Sequence, residues 1–246
     1  MLVINADDWG GWKQATDAAW ACYKEGRVTS LSAMVFMDDS ERAAEFGKSV
    51  EVNIGLHLNL TQAFSRGNLP TTLVKNQEQI RHFLTWNRYA LLLYHPLLWK
   101  EFHYLYKSQV DEFLRLYGRH PSHIDGHQHM HLCTNMLLDH VIPAGERVRR
   151  NFSFWPGEKS IVNRRYRGVV DRWLARHYHT TDFFFCLAQC LRHERLSRVL
   201  DLAKTANVEL MTHPEKADEY TFLMSDRFKE LIHDLRTDRY AMTQAS

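Results

Sequence analysis

The sequence predicts an α/β fold of parallel strands and crossover helices, closed as a (β/α) barrel or wound as an open sheet. Three observations carry this expectation. Short apolar runs alternate with stretches of helical spacing along most of the chain. The length, 246 residues, suits a single α/β barrel better than two domains. Four apolar runs end in carboxylate, amide or imidazole groups: Asn5-Ala6-Asp7-Asp8-Trp9-Gly10, Gly55-Leu56-His57-Leu58-Asn59, His123 to His131, and Glu209 to Pro214. Strand exits gather at one end of a barrel, where loops vary over a rigid scaffold and chemistry is kept.

The elements follow in order. Leu2, Ile4 and Ala6 alternate with Val3 and Asn5 before the break at Gly10-Gly11, which gives a first strand with Asp7 and Asp8 at its exit. Lys13 to Glu25 places Ala15, Ala18, Ala19, Cys22 and Tyr23 at helical spacing and stops at Gly26. A second strand is expected over Ser30 to Met37 and a helix over 40–48. In the third strand, Asn53, Gly55 and His57 share one face and Val52, Ile54 and Leu56 the other. Residues 62–117 depart from this rhythm and read as an aromatic helical insertion in a single domain spanning 1–246. Alternation then resumes: strand Ser122 to Asp125, helix Thr134 to Ala144, strand Val148 to Phe154, a basic stretch at 158–178, strand Asp182 to Phe185, helix His193 to Ala206 and strand Val208 to Thr212. The last 30 residues should hold one helix, Asp226 to Asp234, and a frayed polar tail.

Composition narrows the function classes. With 45% hydrophobic and 24% charged residues and a net charge of +2, the chain has the make-up of a soluble globular protein, not of one that coats nucleic acid. Cys22, Cys133, Cys186 and Cys190 form no CxxC pair and are expected reduced. The start shows no secretory signal, so a cytoplasmic location is expected. The most apolar window, Leu91 to Trp99, is too short to span a bilayer. It reads instead as a helix pair broken at Pro96, with Trp86, Tyr89, Trp99, Phe102, Tyr104 and Tyr106 as core, in preference to an aromatic cap or membrane-surface patch beside the site.

The motifs point to metal or proton chemistry. Neighbouring strand residues face opposite ways, so Asp7 and Asp8 can serve one site only where the backbone turns; one could then ligate a cation while the other takes a proton from water. The bland alternative is a helix cap and a solvated carboxylate. His57 alone is weak evidence. In extended chain, Asp125, His127, His129 and His131 would all share one face, and such a cluster calls for a cation or carboxylate partner. His213, held extended by Pro214, could act as a general acid. One carboxylate and two imidazoles around a divalent ion would leave room for water and a substrate carbonyl, the arrangement of a hydrolase.

Taken together, Asn-Ala-Asp-Asp-Trp-Gly, Gly-Leu-His-Leu-Asn-Leu-Thr, His-Ile-Asp-Gly-His-Gln-His-Met-His and Glu-Leu-Met-Thr-His-Pro resemble the YdjC-like carbohydrate deacetylases over most of the chain. The resemblance implies a barrel-like fold similar to the NodB polysaccharide deacetylases, a divalent cation usually taken as Mg²⁺, and removal of acetyl groups from N-acetylated sugars. It implies Asp8, His57 and His127 as the metal set, Asp7 as general base and His213 as acid. Asp125, His129 and His131 are assigned to orienting His127 and binding substrate, beside Asn59, and Trp9 to an aromatic wall. Zn²⁺ would also suit two imidazoles and a carboxylate. The expected substrate is an N-acetylglucosamine-type sugar or oligosaccharide, with Arg147, Arg149 and Arg150 or the arginines at 164–176 available to hold a phosphate if the sugar is lipid- or nucleotide-linked. The competing readings are a sugar-binding or regulatory protein without turnover and a metal-dependent hydrolase of another bond. A homodimer is left open.

Overall fold

In the computed structural model, which describes residues 1–238 and residue 240, six parallel strands form one sheet in the order β4, β3, β2, β1, β6, β5. They are β1 (Leu2–Trp9), β2 (Ser30–Ala33), β3 (Asn53–Leu58), β4 (Ile124–Gly126), β5 (Phe183–Cys186) and β6 (Val208–Thr212). The α/β barrel-like fold expected from sequence is present. Parallel neighbours need crossovers, and these are supplied by α1 (Lys13–Lys24), α2 (Ser40–Lys48), α3 (Thr71–Thr85), α4 (Trp99–Tyr117), α5 (Thr134–Leu138), α6 (Ile161–His177), α7 (Leu187–Arg192) and α8 (Leu196–Ala203). Two further helices, α9 (Ala217–Met224) and α10 (Asp226–Ile232), follow β6. β1 is buried along its whole length, as expected of a central parallel strand covered on both sides.

The two edges of the sheet are joined by an irregular stretch, residues 146–153. Its backbone bonds β4 through Ile124 N–H to Arg147 O and Arg149 N–H to Ile124 O, and bonds β5 through Ser153 N–H to Phe184 O. The strand expected over Val148 to Phe154 is therefore a single bridge to Ile124 and a set of isolated bonds. It still closes the curl of the sheet, and it carries Arg149 into the interior.

Other boundaries differ for local reasons. β2 stops at Ala33, short of Met37, because Phe36 is left-handed at φ 62°. The helix expected to Ala144 ends at Leu138, before left-handed His140 and Pro143, and left-handed Glu194 delays α8 until Leu196. The last 30 residues contain two helices rather than one; the tail from 241 to 246 lies outside the described residues. The region 62–117 is not a mere insertion, since α4 is the crossover between β3 and β4 and packs on β3, α2 and α3.

Of its aromatic residues, Phe102 is buried, but Trp86, Tyr89, Trp99 and Tyr104 are exposed, Trp86 by 70%. The expectation that they form core is corrected: the core side of α4 is filled by Phe102, Leu105, Phe113 and Leu116. The four cysteines are free, as expected, and all four are buried. No helix among the described residues is long and apolar enough to cross a membrane.

One glycine is dictated by packing. Gly55 faces inward on β3, and a Cβ there would lie 2.4 Å from the His123 ring. The space lets His123 reach Ser32 Oγ, 3.0 Å away, across the floor of the site.

Candidate metal and catalytic site

The site begins with a fault in β1. Its pairing with β2 runs Asn5 to Ser30 and Ala6 to Leu31, then Trp9 to Ala33, so one extra residue is accommodated between Ala6 and Trp9. Asp8 takes the left-handed conformation at φ 61°. Such a bulge re-aims side chains, and here it brings both carboxylates to the inner side without ending the strand. It also restores the phase beyond it. Trp9 consequently points away from the site, fully buried against Trp20 and Phe46, with its indole N–H donating to Tyr117 Oη at 3.1 Å. The expected aromatic wall is thus a core residue.

Asp8 Oδ1 meets His127 Nδ1 at 3.0 Å and His57 Nε2 at 3.3 Å, although the three residues are separated by 49 and 70 positions. Their donor atoms lie within 4.8 Å of one another. Burial alone would raise the Asp8 carboxyl, but the hydrogen bonds from His127 and His57 outweigh it and hold the group far below the usual carboxylate range.

His57 is buried, which would lower its pKa, yet the charges of Asp125 and Asp7 and its bonds to Asp125 and Asp8 hold it well above the ordinary value. Asp125 Oδ1 accepts from His57 Nδ1 at 2.8 Å. Asp125 therefore orients His57, and not His127 as the sequence reading had it. The reason is register: His57 pairs with Asp125 across the β3–β4 ladder.

The donor set fits a divalent cation. One carboxylate oxygen and two imidazole nitrogens converge, and Asp125 on the far nitrogen of His57 turns Nε2 toward them. Asp7, His57 and Asp125 also approach one another, but Asp7 is gripped through both oxygens by Arg149 and His57 Nδ1 is already committed. The first group is the better candidate.

The sequence reading missed the centre of the network. Arg149, 1% exposed, donates to Asp7 through Nη1 and Nη2 at 2.7 Å each, approaches Asp125 at 2.6 Å and donates from Nε to Glu209 at 2.6 Å. Its guanidinium also lies over the Phe184 ring at 4.9 Å. Burial opposes its charge, but Asp125, Asp7 and Glu209 together hold its pKa well above normal. Burial pushes Glu209 up to about 7 despite Arg149. The only sequence signal was an arginine alternating with Val148 in a chain whose interior already held several acids. Arg149 is thus not free to hold a substrate phosphate; Arg150 is likewise engaged, with Asp171 at 2.8 Å.

The histidine cluster does not share one face. β4 ends at Gly126, and Gln128 and His129 are left-handed at φ 54° and 59°, so the chain coils. His127 reaches Asp8; His129 packs against Phe152 at 4.5 Å; His131, fully buried, meets the Arg149 carbonyl at 3.0 Å and so secures that segment rather than His127. Burial pushes His131 down to about 4 and His129 well below normal. Asn59 is fully buried in a turn, accepting from Thr61 and Gln62 N–H and donating to Gln62 O and Met37 Sδ, while its own N–H meets Gln109; it is not available to substrate.

His213 follows β6, which pairs with β1 as far as Thr212 with Ala6. Its backbone N–H donates to Glu219 at 3.0 Å, and its ring lies 3.7 Å from the same carboxylate. Burial lowers its pKa, but the Glu219 and Asp7 carboxylates reverse the shift and raise it. The His127 and His213 side chains are each 17% exposed, whereas His57 is 2% exposed, so the mouth of the site opens beside those two rings. Asp125→Asn removes the charge that turns His57, and we expect cation affinity to fall about 10–100-fold with the fold retained. Titration calorimetry with Zn²⁺ and Mg²⁺ would read this, and unchanged affinity would contradict the assigned orientation.

Fold and site together define an α/β barrel-like protein with a one-carboxylate, two-imidazole centre at the strand exits. Its residues 1–234 match the family model described as YdjC-like protein, and the chain belongs to that family. It is 27% identical over 248 residues to a carbohydrate deacetylase of Mus musculus, covering 87% of this chain and 77% of that one. A chitooligosaccharide deacetylase of Serratia marcescens is 33% identical over 133 residues, 54% of this chain and 51% of its own length. A solved Enterococcus faecalis structure, described as a candidate cellobiose-phosphate cleavage protein, superposes with a TM-score of 0.67 at 20% identity, covering 97% of both chains, and supports the fold.

Proposed function

We propose that the chain is a metal-dependent carbohydrate deacetylase that hydrolyses the acetamide of an N-acetylglucosamine-type sugar or oligosaccharide to acetate and a free amine. The observation that carries this reading is the convergence of Asp8, His57 and His127 beside a second carboxylate, Asp7, and a raised-pKa histidine, His213. Family membership and the names of the relatives support the bond class.

Asp8, His57 and His127 would hold the cation. When bound, it would supply polarisation of the acetamide carbonyl and a lowered pKa for water. The chain's own residues do the rest. Arg149 keeps Asp7 in place through two bonds, and because Asn5 Nδ2 also donates to Oδ1, Oδ2 is the oxygen that retains a further lone pair with which Asp7 accepts a proton from the attacking water. His213, whose protonated form Glu219 and Asp7 favour, lies at the open side and donates to the departing nitrogen. Asp125 holds His57 in one tautomer throughout.

The test is acetate release from N-acetylated chitooligosaccharides. We expect turnover by the purified protein, its loss after chelation, and recovery on adding back a divalent ion; competition between Mg²⁺ and Zn²⁺ identifies the ion. Absence of acetate across a broad panel of N-acetylated sugars, with a cation bound, would overturn the deacetylase reading and favour a sugar-binding protein.

A further inference from the structure

We propose that the rim around the cavity beside His127 is a docking face for an anionic lipid surface. The cavity, about 330 Å³, has Gln128 and His129 in its wall, immediately after His127 in the chain. One side is formed by Tyr89 and Leu92, the other by Tyr166 and Arg167 of α6.

Both sides expose large apolar groups to solvent. The segment that forms the first, residues 86–99, presents Trp86 at 70% and Leu97 at 80% exposure, with Leu93, Tyr94 and Trp99 between 45% and 47%. The second presents Val162 at 78% and Val169 at 57%. Scattered exposed apolar residues need no explanation, but concentration in the two segments that line one cavity does.

The α6 pattern is that of an interfacial helix. Val162, Tyr166 and Val169 recur at spacings of four and three residues, lie in one stripe and are all exposed. Arg165, Arg172 and Arg176 recur at seven and four and form an exposed row beside it. The one acid of this helix, Asp171, is taken by Arg150 at 2.8 Å. Arg88 and Lys100 add positive charge on the opposite side, each over an aromatic ring.

An exposed apolar stripe on α6 flanked by arginines, together with Trp86 and Trp99 of the other segment, complements a headgroup layer that is negative outside and apolar beneath. A second copy fits less well, because a two-fold contact would set the arginine row near itself. Docking places the cavity mouth at the headgroup layer. The inference does not require the deacetylase reading, and the two fail separately.

The test is co-sedimentation of the full chain with vesicles of phosphatidylcholine alone or of equal parts phosphatidylcholine and phosphatidylglycerol. We expect binding to the mixed vesicles, release by salt, and weak binding to phosphatidylcholine. Arg165→Gln/Arg172→Gln/Arg176→Gln should weaken binding about a hundredfold. Leu97→Ser/Val162→Ser should weaken it with every arginine in place, and all five side chains are exposed, so circular dichroism should be unchanged. No binding to mixed vesicles, full binding by the arginine variant, or a stable dimer that excludes vesicles would overturn the proposal.

Discussion

Arg149→Met will lower the unfolding midpoint by about 10 °C, a loss of about 3–5 kcal/mol, and abolish turnover. The guanidinium is the cation shared by Asp7, Asp125 and Glu209 in the closed interior, and its removal leaves three buried carboxylates without their partner. Removing one member of a buried ionic group costs more than replacing the whole group by apolar residues, because the survivors remain charged and dry. Arg149→Lys should recover only part of the stability, since an ammonium cannot fork across Asp7 while reaching Asp125 and Glu209.

The pH dependence separates this account from a simple packing loss. Burial raises Asp125, but Arg149 and His57 hold it well below its usual value. A depressed carboxylate stabilises the fold above its unfolded pKa and loses that contribution as pH falls through the folded value. The gap between wild type and Arg149→Met should accordingly be widest near neutrality and narrow in acid. A gap independent of pH in thermal scans would reject the ionic explanation.

His127→Ala should reduce cation affinity by more than the Asp125→Asn change and bring acetate release down to that of the chelated wild type. One of three converging donor groups is lost. The His57 proton makes the wild-type affinity depend on pH in a defined direction. Its folded pKa is raised, so below that value a cation must displace a proton and binds more weakly as pH falls, by about tenfold per unit for one proton. In the cation-free protein the same raised pKa stabilises below the unfolded value and is lost as pH rises through the folded one. His213→Ala should keep the cation affinity and lose turnover. Calorimetry beside acetate release distinguishes the two histidines; equal cation binding by His127→Ala would remove it from the ligand set.

Much of the scaffold was legible because parallel strands buried on both faces leave nearly continuous apolar runs, and glycines and left-handed positions punctuate them. Asp8, His57, His127 and His213 could be placed at strand exits for the same reason. Cross-barrel pairing could not be read this way. Nothing local to Arg149 announces Asp7, 142 positions earlier, or Glu209, 60 later. The Asp125–His57 contact depends on register between β3 and β4, which periodicity within either strand does not contain. Trp9 and Asn59 misled because a residue inside a chemical motif need not point where the motif points: a bulge turned one toward the helices, and a turn consumed the hydrogen bonds of the other.

The left-handed backbone at Asp8, Gln128 and His129 bears on protein engineering. A left-handed residue with a side chain costs about 1–2 kcal/mol, and here the cost falls on the β1 bulge that presents Asp8 and on the turn after β4 that presents His127. Transplanting an aspartate and two histidines onto another barrel of regular strands would reproduce the composition but not the aim of the side chains. A successful graft would have to import the kinked main chain at both the bulge and the turn, together with enough surrounding stability to tolerate it.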